Sequence, residues 1–327
     1  MSVIAGSSIL VTGGTGSFGQ AFLKLILNQY DPARVVIFSR DELKQYEMKL
    51  QMKEDPRVRY FLGDVRDLER LKIALHGVDF VVHAAALKQV DTAEYNPMEY
   101  VKTNILGSEN VMQASIANGV KNVVALSTDK ASSPVNLYGA TKLTSDKLFI
   151  SGNHYAAKMG TRFSVVRYGN VMGSRGSVVP FFRSLVERGL PLPITDTRMT
   201  RFWITLDQAV KFVVDAFDSM TGGELFVPKI PSMRVVDLAR AISPEARHQI
   251  IGIRPGEKLH EEMISREDAS RTLELPNKYV ITPTLAEWGY AAPSGTSVPD
   301  GFSYSSDTND EWLTEADIRA LLLRNKV

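Results

Sequence analysis

Ile9-Leu10-Val11-Thr12-Gly13-Gly14-Thr15-Gly16-Ser17-Phe18-Gly19 is an apolar run of strand length that breaks into glycines at the head of a helical stretch. Gly13, Gly16 and Gly19 fall where a chain must turn tightly, let a pyrophosphate approach its backbone and pack a helix closely on a sheet. The helix N-terminus that follows favours an anion. A dinucleotide-binding loop formed by Gly13, Thr15, Gly16, Ser17, Phe18 and Gly19 is the reading, with glycines serving turn geometry alone as the alternative.

Working outward, strand-length apolar runs fall at about 8–12, 34–39, 57–62, 79–83, 122–127 and 162–167, separated by stretches of helical period. Such alternation predicts an α/β fold, a Rossmann-like doubly wound parallel sheet. After about residue 170 the rhythm shortens and Pro180, Pro191, Pro193, Pro228, Pro231 and Pro255 interrupt it. The expected division is a nucleotide-binding domain over 1–170 with a return segment at about 206–228, and a smaller C-terminal α/β substrate-binding lobe over 171–327. A helix is predicted at 206–219, a loop at 291–309 and a last short helix near 314–323.

Composition narrows the function. The 327 residues are 44% hydrophobic and 23% charged with a net charge of +1, so nucleic acid and acidic membrane surfaces are not expected partners. Cysteine is absent, which removes disulfides, thiolate metal sites and cysteine nucleophiles. His260-Glu261-Glu262 lacks a second histidine four residues on, where Ile264 stands, and no metal is expected. No apolar run approaches the roughly 18–20 residues of a membrane span. Nor does a basic-then-apolar leader precede Ile9, so a cytoplasmic location is expected.

The second strand ends at Phe38-Ser39-Arg40. An acid at that tip suits the ribose hydroxyls of NAD, whereas an arginine suits the 2′-phosphate of NADP. Ser39, Arg40 and Lys44 therefore favour NADP, with Asp41 as a complication. Asp64 and Val65 after the third strand could flank the adenine, although Asp64 could equally cap a helix. Ala84, Ala85 and Ala86 after the fourth would let a cofactor lie against backbone. Tyr138 and Lys142 stand at i and i+4 on one helix face. A free phenol has a pKa of about 10, so it needs a nearby cation to ionise near neutrality, and Lys142 can supply one. Ser127-Thr128-Asp129-Lys130 follows the apolar strand at the edge where such folds bind ligands.

With these motifs the chain resembles the extended short-chain dehydrogenase/reductase family, which works on nucleotide sugars. The resemblance spans almost the whole length. Retaining 4,6-dehydratases of the family carry Thr-Asp-Glu where this chain has Thr128-Asp129-Lys130. Together with Ala85–Val90, Arg167–Val171, Gly173–Ser177, Thr200–Trp203 and Arg254–Lys258, the triplet is similar to that of the family's 5-inverting branch, which acts on UDP-N-acetylglucosamine at the start of pseudaminic acid synthesis.

The resemblance implies oxidation at C4 of the sugar, loss of water across C5 and C6, and return of the hydride to C6. Tyr138 would take the 4-hydroxyl proton with Thr128 bonded to the same oxygen and Lys142 orienting the nicotinamide ribose. Lys130 would remove the C5 proton, which demands a depressed pKa. Asp129 would protonate the departing 6-hydroxyl. Lys88, Asn170, Arg175, Arg201, Arg254 and Glu257 would hold the UDP-sugar, and a homo-oligomer is implied. A 4-epimerase or reductase of the same fold would need Tyr138 and Lys142 but no acid/base pair at Asp129 and Lys130. A non-catalytic NADP-sensing protein is the alternative from another class.

Overall fold

The computed structural model describes residues 2–174 and 176–325. Its first half runs β1 (Ser8–Thr12), α1 (Ser17–Gln29), β2 (Arg34–Ser39), α2 (Glu42–Gln51), β3 (Val58–Leu62), α3 (Leu68–Ala74), β4 (Phe80–His83), α4 (Val90–Tyr95), α5 (Pro97–Tyr100), α6 (Gly107–Ala117), β5 (Asn122–Leu126), α7 (Leu137–Tyr155) and β6 (Arg162–Val166). β1 and β4 are buried at every position, as parallel strands covered on both faces must be, and this is why they read as unbroken apolar runs.

Parallel pairing sets β1 between β2 and β4, giving the order β3-β2-β1-β4-β5-β6. The chain passes from β1 to β2 on one side and reaches β4 on the other, so the connections leaving β1 and β4 diverge and open a crevice at their C-terminal ends. The glycine loop, Ala84–Ala86 and Ser127–Lys130 all leave the sheet at that edge.

The sheet continues past β6. Leu225–Pro228 pairs parallel with β6, and Lys278–Ile281, Thr272–Glu274 and Thr296–Ser297 extend it antiparallel to ten strands. The helix Leu206–Ser219 starts on a Thr205/Gln208 capping box and packs against α1. The strands after Pro228 were not predicted: they are two to four residues long and interrupted at Pro276 and Pro283, too short for a period to show. A separate three-stranded sheet of Asn170–Val171, Thr200–Ile204 and Ser232–Arg234 lies with the helices Val178–Glu187, Val235–Ile242 and Glu315–Arg324. They share small cores that include Val179, Trp203, Met233, Leu238 and Ile318. Among the described residues no helix is long and apolar enough to cross a membrane.

Candidate active site

β1 delivers Thr12 to a turn at Gly13, whose φ is +65°. A Cβ there would lie 2.9 Å from both Cα and N of Ala85, so only glycine lets the loops after β1 and β4 touch. Thr12 Oγ1 accepts from the Ala84 and Ala85 amides at 3.1 and 3.2 Å and locks that contact. Gly16 caps α1 without a side-chain hydrogen bond, and no acid stands in the first turn. The leading amides of α1 are thus left for an anion, in a cradle that a larger residue at Gly16 would begin to fill. A dinucleotide pyrophosphate fits this donor set.

Beside it, Asp41 caps α2, accepting the Lys44 amide at 3.0 Å and pairing with Lys44 Nζ at 2.5 Å. The Lys44 hydrogen bonds hold its carboxyl below the usual range. Asp64 does not cap the next helix, for Asp67 does. It pairs with Arg66 at 2.7 Å and with half-exposed Arg40 at 3.6 Å.

The loop after β5 forms a tight 3-10 turn, Asp129–Ala131, capped by Thr128. It rests on the start of α7, where Asn136 Oδ1 accepts the Gly139 amide at 2.8 Å. A Cβ at Gly139 would sit 2.2 Å from the Lys130 carbonyl oxygen, so this glycine brings Lys130 down beside Tyr138. Asp129 is 1% exposed; its Oδ1 accepts from Thr128 Oγ1 at 2.9 Å and Lys130 Nζ at 3.1 Å, and its Oδ2 is buried without a partner.

Two electrostatic expectations are corrected here. Lys130 is not depressed: burial works against its charge, but Asp129 and Glu261 outweigh burial and raise it above lysine's ordinary range. Tyr138 is pushed up to about 12 by burial, and the cation drawing it back is Lys130, aided by Thr128. Lys142, 3% exposed, is lowered by burial while Asp146 one turn on opposes the shift.

Four residues hold this geometry. A π-helical turn at Val101–Leu106 presents Asn104, which bonds the Leu87 amide and carbonyl at 2.9 Å and Thr141 at 3.1 Å, tying the loop after β4 to α7. Asp146 accepts from Ser127 at 2.7 Å and from buried Arg167 at 3.2 Å. From the second half, Lys258 Nζ donates to the Ser132 carbonyl at 2.6 Å, and the Gly256 carbonyl accepts from Asn136 at 2.7 Å.

These parts surround one cleft of about 740 Å³, the size of a small-molecule site. It is lined by every described residue singled out from the sequence except Arg201, Lys88, Asn170, Arg254 and Glu257 included. Arg175 lies outside the described residues. The guanidinium of Arg201 turns inward instead, donating to the Thr200, Lys258 and Leu259 carbonyls at 2.7–3.1 Å, so it braces the fold behind the cleft. Trp203 and Ser177, which stand in the motif segments without an assigned role, also line the cleft. Buried polar atoms of Asn170, Glu257, Trp203 and Ser177 lack partners, leaving hydrogen-bonding capacity among the residues that line the cleft. Glu261 was missed because it acts on Lys130 from a distant stretch of chain, whereas Asp146 stands one turn from Lys142 and its i,i+4 spacing could have flagged it. Among the described residues no group of three or more His, Asp or Glu side chains is placed to hold a metal.

A family model described as polysaccharide biosynthesis protein matches residues 9–283. The UDP-N-acetylglucosamine 4,6-dehydratase (inverting) of Campylobacter jejuni subsp. jejuni serotype O:23/36 is 56% identical over 96% of each chain. A UDP-glucose 4-epimerase of Rickettsia canadensis is 42% identical over 87% of this chain and 85% of its own. Among solved structures, Pen from Bacillus thuringiensis superposes with a TM-score of 0.92 at 36% identity, covering 99% of both chains. DesIV, a dTDP-glucose 4,6-dehydratase from Streptomyces venezuelae with NAD bound, gives 0.69 at 26% identity over 77% of this chain and 86% of its own.

Proposed function

Because the chain belongs to the polysaccharide biosynthesis protein family, on the fold of the extended short-chain dehydrogenases/reductases, we propose that its cleft dehydrates UDP-N-acetylglucosamine across C5 and C6 with inversion at C5. One observation carries this reading over epimerisation. Asp129 and Lys130 open into the same cleft as Tyr138, and moving a hydride on and off C4 needs no such pair.

A nicotinamide cofactor, held by the glycine loop and the amides of α1, supplies the hydride acceptor and donor. Tyr138 takes the 4-hydroxyl proton, helped by the positive charge of Lys130 and by Thr128. The resulting ketone acidifies the C5 proton. Lys130 Nζ donates a proton to Asp129 Oδ1 in a hydrogen bond of 3.1 Å. Transfer of that proton from Lys130 to Asp129 turns the resting ion pair into a neutral amine and a neutral carboxyl, the base and acid that elimination requires. Lys130 then takes the C5 proton, the C5–H electron pair forms the C5=C6 bond, the C6–O bond breaks, and Asp129 protonates the leaving oxygen as water. The UDP end of the substrate is assigned to Arg254, Glu257, Asn170 and Lys88, which line the cleft. Residues 1–170 with 206–228 are assigned to the cofactor and the remainder mainly to the nucleotide sugar.

Incubation with UDP-N-acetylglucosamine should give a C6 methyl resonance by proton NMR; a product with its 6-hydroxyl intact and only C4 inverted would replace this reading with epimerisation. For the cofactor, Arg40 and Lys44 at the tip of β2, with Asp41 turned to capping, support NADP. NADP should bind the unmutated protein at least about tenfold tighter than NAD, a charge-assisted contact of about 1.5–3 kcal/mol. Arg40→Ala should remove most of that difference in a titration calorimeter. Equal affinities before mutation would overturn the assignment.

A further inference from the structure

Lys130 is not held by its own turn alone. Glu261, from the second half of the chain, lays Oε1 3.1 Å from Lys130 Nζ. Its side chain is 2% exposed and does not line the cleft. Arg201 Nε stands 3.7 Å from the same oxygen, itself fixed by three backbone carbonyls. The Glu261 amide donates to Ser306 Oγ at 2.9 Å, and the other carboxylate oxygen, Oε2, is buried without a hydrogen-bond partner. A carboxylate kept inside with one oxygen unpaired costs stability that a neutral side chain would avoid. What it gives in this place is a fixed negative charge on the amine of Lys130.

On the dehydratase reading, we propose that Glu261 is the positioning residue of the elimination step: it holds the Lys130 amine at the cleft wall and sets the basicity with which Lys130 takes the C5 proton. Among the described residues, five charged or titratable groups act on Lys130. Asp129 is on its own turn, Glu261 leads into the strand Glu262–Ile264, Arg201 lies behind Glu261 on Thr200–Ile204, Lys258 is on the preceding loop and Tyr138 on α7. Asp129 cannot supply a constant charge, because it is charged only until it takes the shared proton. Glu261 touches neither the leaving oxygen nor the C4 hydroxyl, so its charge persists while the ammonium forms. Removing that charge leaves Lys130 a weaker base toward C5 and no longer fixed at the cleft wall, so elimination slows, while C4 oxidation, which Lys130 still serves as a cation, does not.

The test compares Glu261→Gln and Glu261→Asp with the unmutated enzyme, reading C6 methyl formation by NMR from pH 6 to 10. Single-turnover C4 oxidation, read at the nicotinamide absorbance, and the melting temperature are measured on the same proteins. For Glu261→Gln, C6 methyl formation should fall by about tenfold across that range with C4 oxidation within about twofold, so reduced cofactor should build up where the unmutated enzyme builds up none. Glu261→Asp should recover most of the elimination rate. A Glu261→Gln enzyme that forms the C6 methyl at the unmutated rate overturns the proposal. So do equal losses of oxidation and elimination in both variants with lowered melting temperatures. An unmutated enzyme that forms no 6-deoxy product would instead overturn the dehydratase reading beneath it.

Discussion

Tyr138→Phe should lower turnover by about 10²- to 10⁴-fold, the contribution of a positioned proton-transfer group, while cofactor affinity stays within about twofold. The variant deletes one oxygen from a ring packed with Ala93 and Tyr100, so the local core is retained. Lys142, Thr128 and the glycine loop are untouched. In the unliganded protein burial pushes the phenol up to about 12, against which the charge of Lys130 and Thr128 act. C4 oxidation should accordingly accelerate with rising pH in the unmutated enzyme, and the variant should lose that dependence together with its rate. Near-normal turnover in Tyr138→Phe would remove the tyrosine from the mechanism.

Lys130→Met should abolish elimination, again by at least about 10²-fold, and should slow C4 oxidation without stopping it. The oxidation effect comes from the structure: Lys130 is the cation drawing the Tyr138 phenol toward ionisation, so its loss reaches the first step as well as the second. Single-turnover absorbance at the nicotinamide band separates the two, because the variant should build up reduced cofactor where the unmutated enzyme builds up none. The substitution also leaves Asp129 and Glu261 as buried carboxylates without the amine between them. Removing one partner of a buried ion pair costs about 3–5 kcal/mol, so a lowered melting temperature is part of the expected result. A variant that still forms the C6 methyl at a comparable rate would exclude Lys130 as the C5 base.

Much of this site could be read from the chain because its parts are local. Gly13, Gly16 and Gly19 report one turn, Tyr138 and Lys142 one helix face, and Thr128–Lys130 one strand end. The order of six alternating strands brings those three places to one sheet edge. The electrostatics could not be read in the same way. Lys142 was assigned the task of drawing the phenol toward ionisation because it is one turn away in sequence, yet Lys130 performs it across a contact that Gly139 permits. The C5-base role demands a depressed Lys130, through burial or nearby positive charge, yet Asp129 beside it and Glu261, 131 residues downstream, outweigh burial and raise it. Arg201 reads as a phosphate ligand from its neighbours in sequence, yet its guanidinium is taken up by the adjacent Thr200 carbonyl and by the Lys258 and Leu259 carbonyls brought in from elsewhere in the chain. Local motifs therefore predict which residues gather, while the protonation each prefers depends on long-range packing.

The central claim is that Lys130 removes the C5 proton of a 4-keto intermediate, after which a proton returns to the opposite face. The most direct measurement is proton and carbon NMR of the product formed from UDP-N-acetylglucosamine in D₂O. The account predicts a C6 methyl, deuterium at C5 and inverted configuration there, with no net reduced cofactor accumulating. A C5 that keeps its original proton, or a 4-epimer with its 6-hydroxyl in place, would contradict it.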